Sequence, residues 1–308
     1  MIKLFFYFIV TIYSQEIFPP VHSEGNYPVD QYQLGQKLFF DKKLSRDNST
    51  SCSSCHQVKN YGMDNKKFSL GSNFIETKVN TPSIFNLKFN SVFFIDGRVT
   101  SLSDAIKDEL HNQRRLGTSS EELISKLSHD QVYVERFSQV YGKKISDELI
   151  VISIKAYVES LILTDSKFDS YLKGKVKMSE SEMNGYKKFR SYGCYHCHNG
   201  INLGGNLFSR KGAFFSNKIE GPVKEIKYGR YNVTKSDEDK YVYKVPGLRN
   251  IEHTSPYLYF GQIEELSDVV RAKVHDHTGR VPSSKDINEL MEFLKSLSTP
   301  NLGEKYVK

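Results

Sequence analysis

The 308-residue sequence contains no tryptophan, only four cysteines, and no long apolar run outside its first 14 residues. A membrane-spanning helix needs about 20 consecutive apolar residues, so we expect no transmembrane segment. The net charge is +7, but the charged residues form mixed-sign segments along the chain and are not gathered in one basic run. This distribution is typical of a solvated surface and gives no support to nucleic-acid binding.

All four cysteines lie in two copies of one motif, C-x-x-C-H. This is the attachment signature of c-type haem: the two thiols form thioethers to the porphyrin, and the histidine binds the iron. We therefore predict two covalently bound haem c groups. The first is attached at Cys52 and Cys55 with His56 as proximal ligand, and the second at Cys194 and Cys197 with His198 as proximal ligand.

Two other uses of the cysteines are the alternatives. One is a four-cysteine zinc site, which needs no histidine after either pair. The other is a pair of redox-active disulfides, which would require a thioredoxin-like βαβ context that neither flank shows.

Apolar periodicity predicts a mainly α-helical protein, with no β-rich segment to compete. The predicted helices span residues 31–44, 101–110, 119–128, 130–141, 146–163, 179–192, 264–273 and 284–297. A Gly-x-Lys-x-Phe segment precedes each haem motif, at Gly35–Phe39 and Gly185–Phe189, which indicates two repeats of one haem-binding unit. At roughly 100–200 residues per domain, the length also suggests two. We predict two cytochrome c-like haem domains in tandem, over residues 15–165 and 166–308.

The first 14 residues have the composition of a secretory signal peptide, with an apolar run at Leu4–Val10 behind a single lysine. We expect cleavage after Ser14, although Ile12 is large for the position three residues before the cut. A membrane anchor is the alternative, but the apolar run is too short for it. Export agrees with the two motifs, because c-type haem is attached outside the cytoplasm, in bacteria in the periplasm.

Taken together, the motifs resemble the bacterial dihaem cytochrome c peroxidases and the related dihaem enzymes that mature methylamine dehydrogenase. The matching segments follow family order along almost all of the mature chain: Leu34–Asp41, Cys52–His56, Asn80–Asn86, Asp96–Arg98, Cys194–Gly200, Tyr228–Thr234, Val245–Asn250 and Thr254–Tyr257. The resemblance implies reduction of hydrogen peroxide to water with electrons from a small cytochrome c or cupredoxin. It also implies that His56 serves the peroxidatic haem and His198 the electron-accepting haem, and that the chain forms a homodimer, as members of the family often do.

The resemblance further implies a calcium ion between the two units. Asn80, together with the backbone carbonyls of Thr254 and Pro256, matches the family's calcium position. Oxygen ligands of this kind suit Ca²⁺. The alternative role for Asn80 is a side chain that caps a turn.

Around the first haem the sequence departs from the family. Many members close the resting peroxidatic haem with a histidine from the loop that is Leu-Gly-Ser-Asn at residues 70–73 here, so we expect a haem that is open without reductive activation. The family's distal glutamine, proline and glutamate align with Ala105, Glu109 and Arg115. A guanidinium can stabilise a leaving hydroxide but cannot shuttle a proton. Glu109 or His111 could do so; a solvated carboxylate and a surface histidine are the alternatives.

Two further departures concern electron transfer. The family often has a tryptophan between the haems where this chain has Ile95. At the second haem, the family's distal methionine or tyrosine aligns with Lys273, and His275 and His277 lie close by. A nitrogen ligand would lower the reduction potential, because methionine is the ligand that raises it. We favour His275 as this ligand, with Lys273 as the alternative.

Two other functions stay open at this point. The changes at Ala105, Arg115 and Ile95 are compatible with a dihaem electron-transfer or redox-sensing protein that has only weak peroxidase activity. A dihaem oxidase that acts on a partner protein is supported by kinship alone.

Overall fold

The structure is a computed structural model that describes residues 18–22, 27–210, 228–300 and 302, so the predicted signal peptide lies outside the described residues. The helices are α1 (Val29–Phe40), α2 (Cys52–Cys55), α3 (Leu102–His111), α4 (Ser120–Ser128), α5 (Gln131–Tyr141), α6 (Asp147–Glu159), α7 (Lys167–Leu172), α8 (Glu180–Ser191), α9 (Tyr231–Thr234), α10 (Leu266–Thr278) and α11 (Ser284–Ser296). Two short strands, β1 (Phe208–Arg210) and β2 (Val242–Lys244), pair antiparallel with Phe208 opposite Lys244. The predicted mainly helical fold is confirmed.

Serine side chains determine where most of the long helices begin. The hydroxyl of an N-cap serine accepts a hydrogen bond from a backbone N–H in the first helical turn, which otherwise has no partner. Such caps occur at Ser101, Ser119, Ser146, Ser179 and Ser283. At Ser179 and Ser283 a carboxylate three residues later bonds back to the cap, which completes a capping box. The predicted starts of these helices therefore agree with the structure to within about two residues.

Three helix ends differ from the prediction. Helix α1 stops at Phe40 and not at residue 44, because Asp41 is extended. The other two also differ for a local reason. Helix α6 stops at Glu159, because Asn86 bonds the backbone of the next residues: its N–H donates to Leu161 O and its Oδ1 accepts from Leu163 N. Helix α10 continues five residues beyond the predicted end and stops at Gly279, whose φ of +68° suits a helix C-terminus. The extension places all three candidate distal ligands of the second haem on one helix.

The two halves of the chain repeat the same helix crossing. Helix α1 packs against α6, and α8 packs against α11; these are the two most extensive helix pairings in the described structure. A Cβ added at Gly35 would lie 1.9 Å from Ser153 O, and one added at Gly185 would lie 1.9 Å from Glu289 O. Only glycine permits such close backbone contact. The Gly-x-Lys-x-Phe repeat in the sequence is therefore a repeat in the fold.

Each half also builds its own hydrophobic core. The main apolar cluster of the first half is drawn from residues 34–163, and that of the second half combines Phe18 with residues 168–297. Cys52 packs against the first cluster and Cys194 against the second, so one haem motif adjoins each core. A smaller cluster centred on Ile95, Tyr243 and Phe260 takes residues from both halves and lies where they meet.

A buried ion pair links separate segments of the second half. Asp169 on α7 accepts hydrogen bonds from Arg249 Nη1 at 2.5 Å and Nη2 at 3.0 Å, and also from Ser166 Oγ and Val21 N. Arg249 Nε donates to Ile201 O at 2.6 Å. Both charged side chains are almost completely buried, with exposed fractions of 0% for Asp169 and 2% for Arg249. Such a pair is sustained by its full set of hydrogen bonds.

In the part of the chain that the structure describes, none of the helices has the length and apolar character needed to cross a membrane.

Candidate haem sites

The first haem motif forms a single helical turn. Cys52 begins α2 and Cys55 ends it, and the backbone N–H of His56 donates to Cys52 O at 2.9 Å. His56 Nδ1 lies 3.2 Å from Gly62 O. A carbonyl can only accept, so Nδ1 carries the proton and Nε2 keeps a lone pair for a metal. The ring is thus oriented as a proximal haem ligand requires.

The second motif repeats this arrangement with a tighter turn. Cys194–His196 forms a 3₁₀ turn that Cys197 closes, because the N–H of Cys197 donates to Cys194 O at 3.2 Å. The N–H of His198 donates to the same carbonyl at 2.9 Å. His198 Nδ1 lies 3.1 Å from Leu203 O, so here too the carbonyl fixes the tautomer and leaves Nε2 available. Two separate turns with the same ring orientation fit two haem groups of one kind.

All four cysteines that the sequence assigns to haem attachment are thiols and not disulfides, namely Cys52, Cys55, Cys194 and Cys197. This gives no support to the redox-disulfide alternative. Each thiol is only partly exposed. Among the described residues, no three His, Cys, Asp or Glu side chains converge as a zinc site requires.

The protonation states suit haem binding. Burial lowers the pKa of His56 and lowers the pKa of His198 to about 4, so both rings are in the neutral form that binds iron. Burial also raises the pKa of Cys52 to about 12 and the pKa values of Cys55 and Cys194 to about 11. These three side chains are therefore uncharged thiols at neutral pH.

Next to the first motif, Glu109 and Arg115 form an ion pair with 3.4 Å between Glu109 Oε2 and Arg115 Nε. Glu109 is near the end of α3, and Arg115 is in the turn that follows, where Leu116 N donates to Glu109 O. Beyond the dominant effect of burial, the negative charge of Glu109 raises the pKa of His56 and the positive charge of Arg115 lowers it. Both charges therefore act electrostatically on the first haem-binding histidine.

His111 faces a different part of the molecule. Its Nδ1 donates to Thr118 O at 2.6 Å, and its Nε2 lies 3.2 Å from Asp147 Oδ1 and 3.4 Å from Ser120 Oγ. These contacts join the end of α3 to the starts of α4 and α6. The structure thus brings Glu109 and Arg115 together and engages both nitrogens of His111 elsewhere. Ala105 is buried in the core of the first half.

The three candidate ligands of the second haem do not share one face of α10. Residues four apart in a helix lie on the same side, so Lys273 and His277 are neighbours and His275 points away from them. After burial, the positive charges of Lys273 and His277 are further causes of the low pKa of His198. His275 is half exposed and lies 4.0 Å from Asp276. The structure therefore brings Lys273 and His277 towards the second haem motif, and His275 lies on the outer face.

The calcium candidates lie near the junction of the two halves. The N–H of Asn80 donates to Tyr259 O at 2.8 Å, and Asn80 Nδ2 donates to Lys66 O at 2.8 Å. Because Lys66 O can only accept, the amide nitrogen faces it and Asn80 Oδ1 is left as an acceptor. Thr254 and Pro256 belong to the segment that leads into Tyr259.

Sequence reasoning missed an aromatic pair beside Ile95. The rings of Tyr243 and Tyr259 lie 5.6 Å apart between centroids, inclined by 32°, in the cluster where the two halves meet. Burial raises the pKa of Tyr243 to about 12 and raises that of Tyr259 further, so both are neutral phenols. The spacing of these tyrosines gives no periodic signal, because one is on a short strand and the other is in a loop.

Comparison with known proteins agrees with this geometry. The sequence model of the di-haem cytochrome c peroxidase family matches residues 29–177. Cytochrome c551 peroxidase of Pseudomonas aeruginosa is 35% identical over 276 residues, covering 87% of this chain and 78% of that protein. The protein of the same name from Nitrosomonas europaea is 31% identical over 287 residues, covering 92% and 85%. Methylamine utilization protein MauG of Methylophilus methylotrophus is 24% identical, covering 87% and 82%.

Solved structures share the fold. A MauG-like protein associated with microbial copper homeostasis superposes with a TM-score of 0.81 at 23% identity, covering 94% of this chain and 95% of that one. The diheme peroxidase BthA of Burkholderia thailandensis gives a TM-score of 0.75 at 17% identity, covering 94% and 90%. The prediction of tandem cytochrome c-like domains, each with a haem, is confirmed. The chain belongs to the di-haem cytochrome c peroxidase family, in which its relatives from Pseudomonas aeruginosa and Nitrosomonas europaea are cytochrome c551 peroxidases.

Proposed function

We propose that this protein is an exported dihaem peroxidase that reduces hydrogen peroxide to water with electrons from a small periplasmic redox protein. The observation that carries the proposal is the pair of matching haem turns, each with a histidine held in the ligand tautomer, in a chain about one-third identical to two cytochrome c551 peroxidases. The reaction consumes two electrons and two protons for each peroxide. Two haem sites provide storage for the electrons, and the protein must supply a path for the protons.

The proximal histidines orient and tune the cofactor. A bound haem would supply the iron for peroxide reduction at the first site and for electron transfer at the second. The bond from His56 Nδ1 to Gly62 O holds the ring in place and makes Nε2 a stronger donor. The bond from His198 Nδ1 to Leu203 O does the same at the second site. The thioether bonds would form at Cys52 and Cys55 and at Cys194 and Cys197.

At the first site we assign proton transfer to Glu109 and charge stabilisation to Arg115. Cleavage of the O–O bond requires a proton to move between the two peroxide oxygens, which is general acid–base chemistry. A carboxylate can accept and return that proton. The guanidinium is a fixed cation with several donors, and it stabilises the charge that develops on the departing oxygen. His111 is the weaker candidate, because both of its nitrogens are engaged by Thr118 and Asp147.

The loop at residues 70–73 supports an open first haem. It has no histidine or methionine, and Ser72 is turned inwards, with its hydroxyl bonded to Asp47 at 2.8 Å. With no side chain in this loop to bind iron, a haem held by His56 would be open to peroxide in the oxidised protein, without prior reduction of the second haem.

At the second site we assign the distal position to Lys273. The positive charge of Lys273 contributes to the low pKa of His198. Burial lowers the pKa of the Lys273 ammonium, which favours the neutral amine that a metal needs, and outweighs the opposite effect of Asp276, whose carboxylate lies 3.8 Å away. His277 lies on the same face of α10 as Lys273 and is the alternative, and the position of His275 on the opposite face of α10 argues against the preference derived from the sequence. Both side chains supply nitrogen, so a low reduction potential is expected in either case.

Four further assignments complete the proposal. The first is cleavage of a signal peptide after Ser14 and a periplasmic location. The second is a domain boundary near residue 165, which the separate cores on either side support. The third is Ca²⁺ bound by Asn80 Oδ1 and the carbonyls of Thr254 and Pro256, supported by the orientation of the Asn80 amide. The fourth is a small cytochrome c or cupredoxin as electron donor, with homodimerisation.

The test is steady-state oxidation of a reduced small cytochrome c by hydrogen peroxide. It uses holo-protein with calcium, after the content of two haems has been verified. We expect turnover far above that of free haem, and a matched His56→Gly variant should lose it. Turnover of the natural protein no faster than free haem would overturn the proposal and favour electron transfer or redox sensing.

A further inference from the structure

Asp47 joins two segments of the first half that are distant in sequence. Its Oδ1 accepts from Ser49 Oγ at 2.7 Å and from Ser72 Oγ at 2.8 Å, and its Oδ2 accepts from the backbone N–H of Asn73 at 2.7 Å. The carboxylate lies at the surface, but Ser72 is only 1% exposed. One side chain thus fastens the loop at residues 70–75 to the segment before the first haem motif.

The two segments that Asp47 joins both bind the backbone around Arg115. Arg46, the residue before Asp47, donates its N–H to Leu116 O at 2.9 Å. Ser72, whose hydroxyl Asp47 holds, donates its N–H to Arg115 O at 2.7 Å. The two segments that Asp47 joins therefore each donate one backbone hydrogen bond, and the acceptors are the consecutive carbonyls of Arg115 and Leu116.

The loop at residues 70–75 also packs closely against the backbone of Arg114 and Arg115. A Cβ added at Gly71 would lie 2.4 Å from Arg114 O and 2.7 Å from Arg115 O, so the loop backbone lies directly on the backbone that carries Arg115. The loop itself is strained, because Asn73 and Phe74 both have positive φ, at 54° and 57°. A phenylalanine adopts such a conformation only when its surroundings enforce it. At Asn73 the strained backbone is held by the hydrogen bonds that Ser72 and Asn73 donate to Asp47.

We propose that Asp47 is a positioning residue for the Glu109–Arg115 ion pair. It holds the Arg115 backbone through Ser72, so that the guanidinium contacts Glu109 beside the first haem. This inference rests on the proposed roles of Glu109 and Arg115. It extends them by naming what holds the pair in place, in a segment that carries neither residue.

The charge state of Asp47 agrees with this role. Partial burial opposes ionisation, but the hydrogen bonds from Ser49, Asn73 and Ser72 outweigh it and hold the pKa of Asp47 well below its usual range. The carboxylate therefore stays ionised, and its bonds stay formed, throughout the pH range in which a glutamate titrates.

The chain offers a matched pair of variants for the test. Ser49→Ala and Ser72→Ala each remove one hydroxyl donor to the same carboxylate oxygen, at 2.7 Å and 2.8 Å. Only Ser72 is on the loop that binds the Arg115 backbone. A third variant, Asp47→Asn, keeps the shape of the side chain but turns an amide N–H₂ or a neutral oxygen towards donors that need a carboxylate.

Two measurements are made on oxidised holo-protein. The first is the pH dependence of cyanide binding to the first haem, which reports the group that takes the proton from hydrogen cyanide. The second is amide hydrogen exchange of residues 70–75 and 112–117. We expect Asp47→Asn and Ser72→Ala to shift the cyanide pH profile, to speed exchange in both segments, and to lower peroxide kcat/KM about tenfold, because small displacements of catalytic groups have large effects on rate. Ser49→Ala should resemble the natural protein.

The outcomes separate the proposals. Faster exchange with an unchanged cyanide pH profile would overturn the positioning role and leave Asp47 a structural residue. An equal effect of Ser49→Ala and Ser72→Ala would also overturn it. If Asp47→Asn fails to fold, Ser72→Ala and Ser49→Ala decide the question. Absence of peroxide turnover in the natural protein would refute the proposed function, whereas the cyanide and exchange measurements would still test Asp47.

Discussion

Glu109 and Arg115 pair across the turn that ends α3, with 3.4 Å between carboxylate and guanidinium, beside the first haem motif. Members of the family usually have a glutamate at the position of Arg115 and a proline at the position of Glu109. A carboxylate is therefore still present in the region, but it comes from the helix and is held by the arginine. The pairing is the reason to expect efficient peroxide chemistry despite the altered sequence.

Removing the carboxylate should impair peroxide reduction specifically. General acid–base groups contribute about 10²–10⁴-fold to rate, so Glu109→Gln should lower kcat/KM by roughly 10²-fold or more. Arg115→Met should cost a similar factor through lost charge stabilisation. Steady-state kinetics with a saturating reduced cytochrome c would measure both.

Glu121→Gln is the control for these variants, since it neutralises an exposed carboxylate at the start of α4. It should leave kcat/KM unchanged. If Glu109→Gln were as active as Glu121→Gln, the proton would have to travel by another route, and the assignment to Glu109 would fail.

Replacing Lys273 should change the second haem, and replacing His275 should not. In Lys273→Met a thioether takes the proposed position of an amine, so the reduction potential should rise, because methionine raises the potential of haem. Redox titration and electron paramagnetic resonance of the low-spin haem would measure the change. His275→Ala is the matched control on the exposed face of the same helix.

The alternative ligand gives a different result. If His277 binds the iron, His277→Ala should abolish the original low-spin signal and Lys273→Met should leave it intact. A His275→Ala protein with an altered signal would restore the preference derived from the sequence.

Much of the fold could be predicted from the sequence because its signals are local. Serine caps and apolar periodicity determine the helix starts, and the repeated Gly-x-Lys-x-Phe segment marks the two glycine crossings. The haem attachment residues are local as well, because each motif is a single turn. The caps and the haem turns need only neighbouring residues to form. The glycine crossings join residues distant in sequence, but the repeated segment marks where they occur.

The distal groups could not be predicted because they depend on contacts distant in sequence. Which of Lys273, His275 and His277 faces the second haem depends on how far α10 extends, and that end is set by Gly279. The approach of Arg115 to Glu109 depends on an irregular turn without periodicity. The bond from Ser72 to Asp47 joins loops 25 residues apart.

The glycine crossings should respond alike to substitution. Gly35→Ala and Gly185→Ala each place a methyl group 1.9 Å from a carbonyl oxygen, so the helices must separate. Overpacking of this kind costs about 1–3 kcal/mol or more, which predicts a clear fall in the Tm of the holo-protein. Gly142→Asn is the control, because nothing lies within 4 Å of the added Cβ and asparagine tolerates its positive φ. An unchanged Tm in either crossing variant would contradict the close contact.

Removing one partner of the buried Asp169–Arg249 ion pair should destabilise the protein strongly, whereas replacing both partners with apolar side chains should destabilise it much less. Arg249→Met leaves Asp169 buried without its partner, which typically costs about 3–5 kcal/mol. A double variant, Asp169→Leu with Arg249→Met, removes both charges and should recover much of the lost Tm. Thermal unfolding of the three holo-proteins would measure this. Recovery would be absent if the hydrogen bonds to Val21 and Ile201 were the main contribution of the pair.

Lowering the pH should weaken the packing of α8 against α11, because it protonates the carboxylate of Asp286. Its carboxylate caps α11, accepts from Lys188 on α8 at 2.5 Å and accepts from the hydroxyl of Tyr192. The bond from Lys188, then that from Ser283, holds the pKa of Asp286 well below its usual range. For an acid with a depressed folded-state pKa, the stabilisation is present above the unfolded pKa of about 4 and is lost as the pH falls towards the folded value.

Asp286→Asn should therefore lower the Tm of the holo-protein at pH 6, and the difference from the natural protein should shrink steadily as the pH is lowered below 4. Asp237→Asn, which neutralises a carboxylate 81% exposed and paired with Lys240, is the control and should change Tm little at any pH. A difference between Asp286→Asn and the natural protein that stayed constant down to pH 2 would show that the shape of the cap, and not its charge, holds α8 and α11 together.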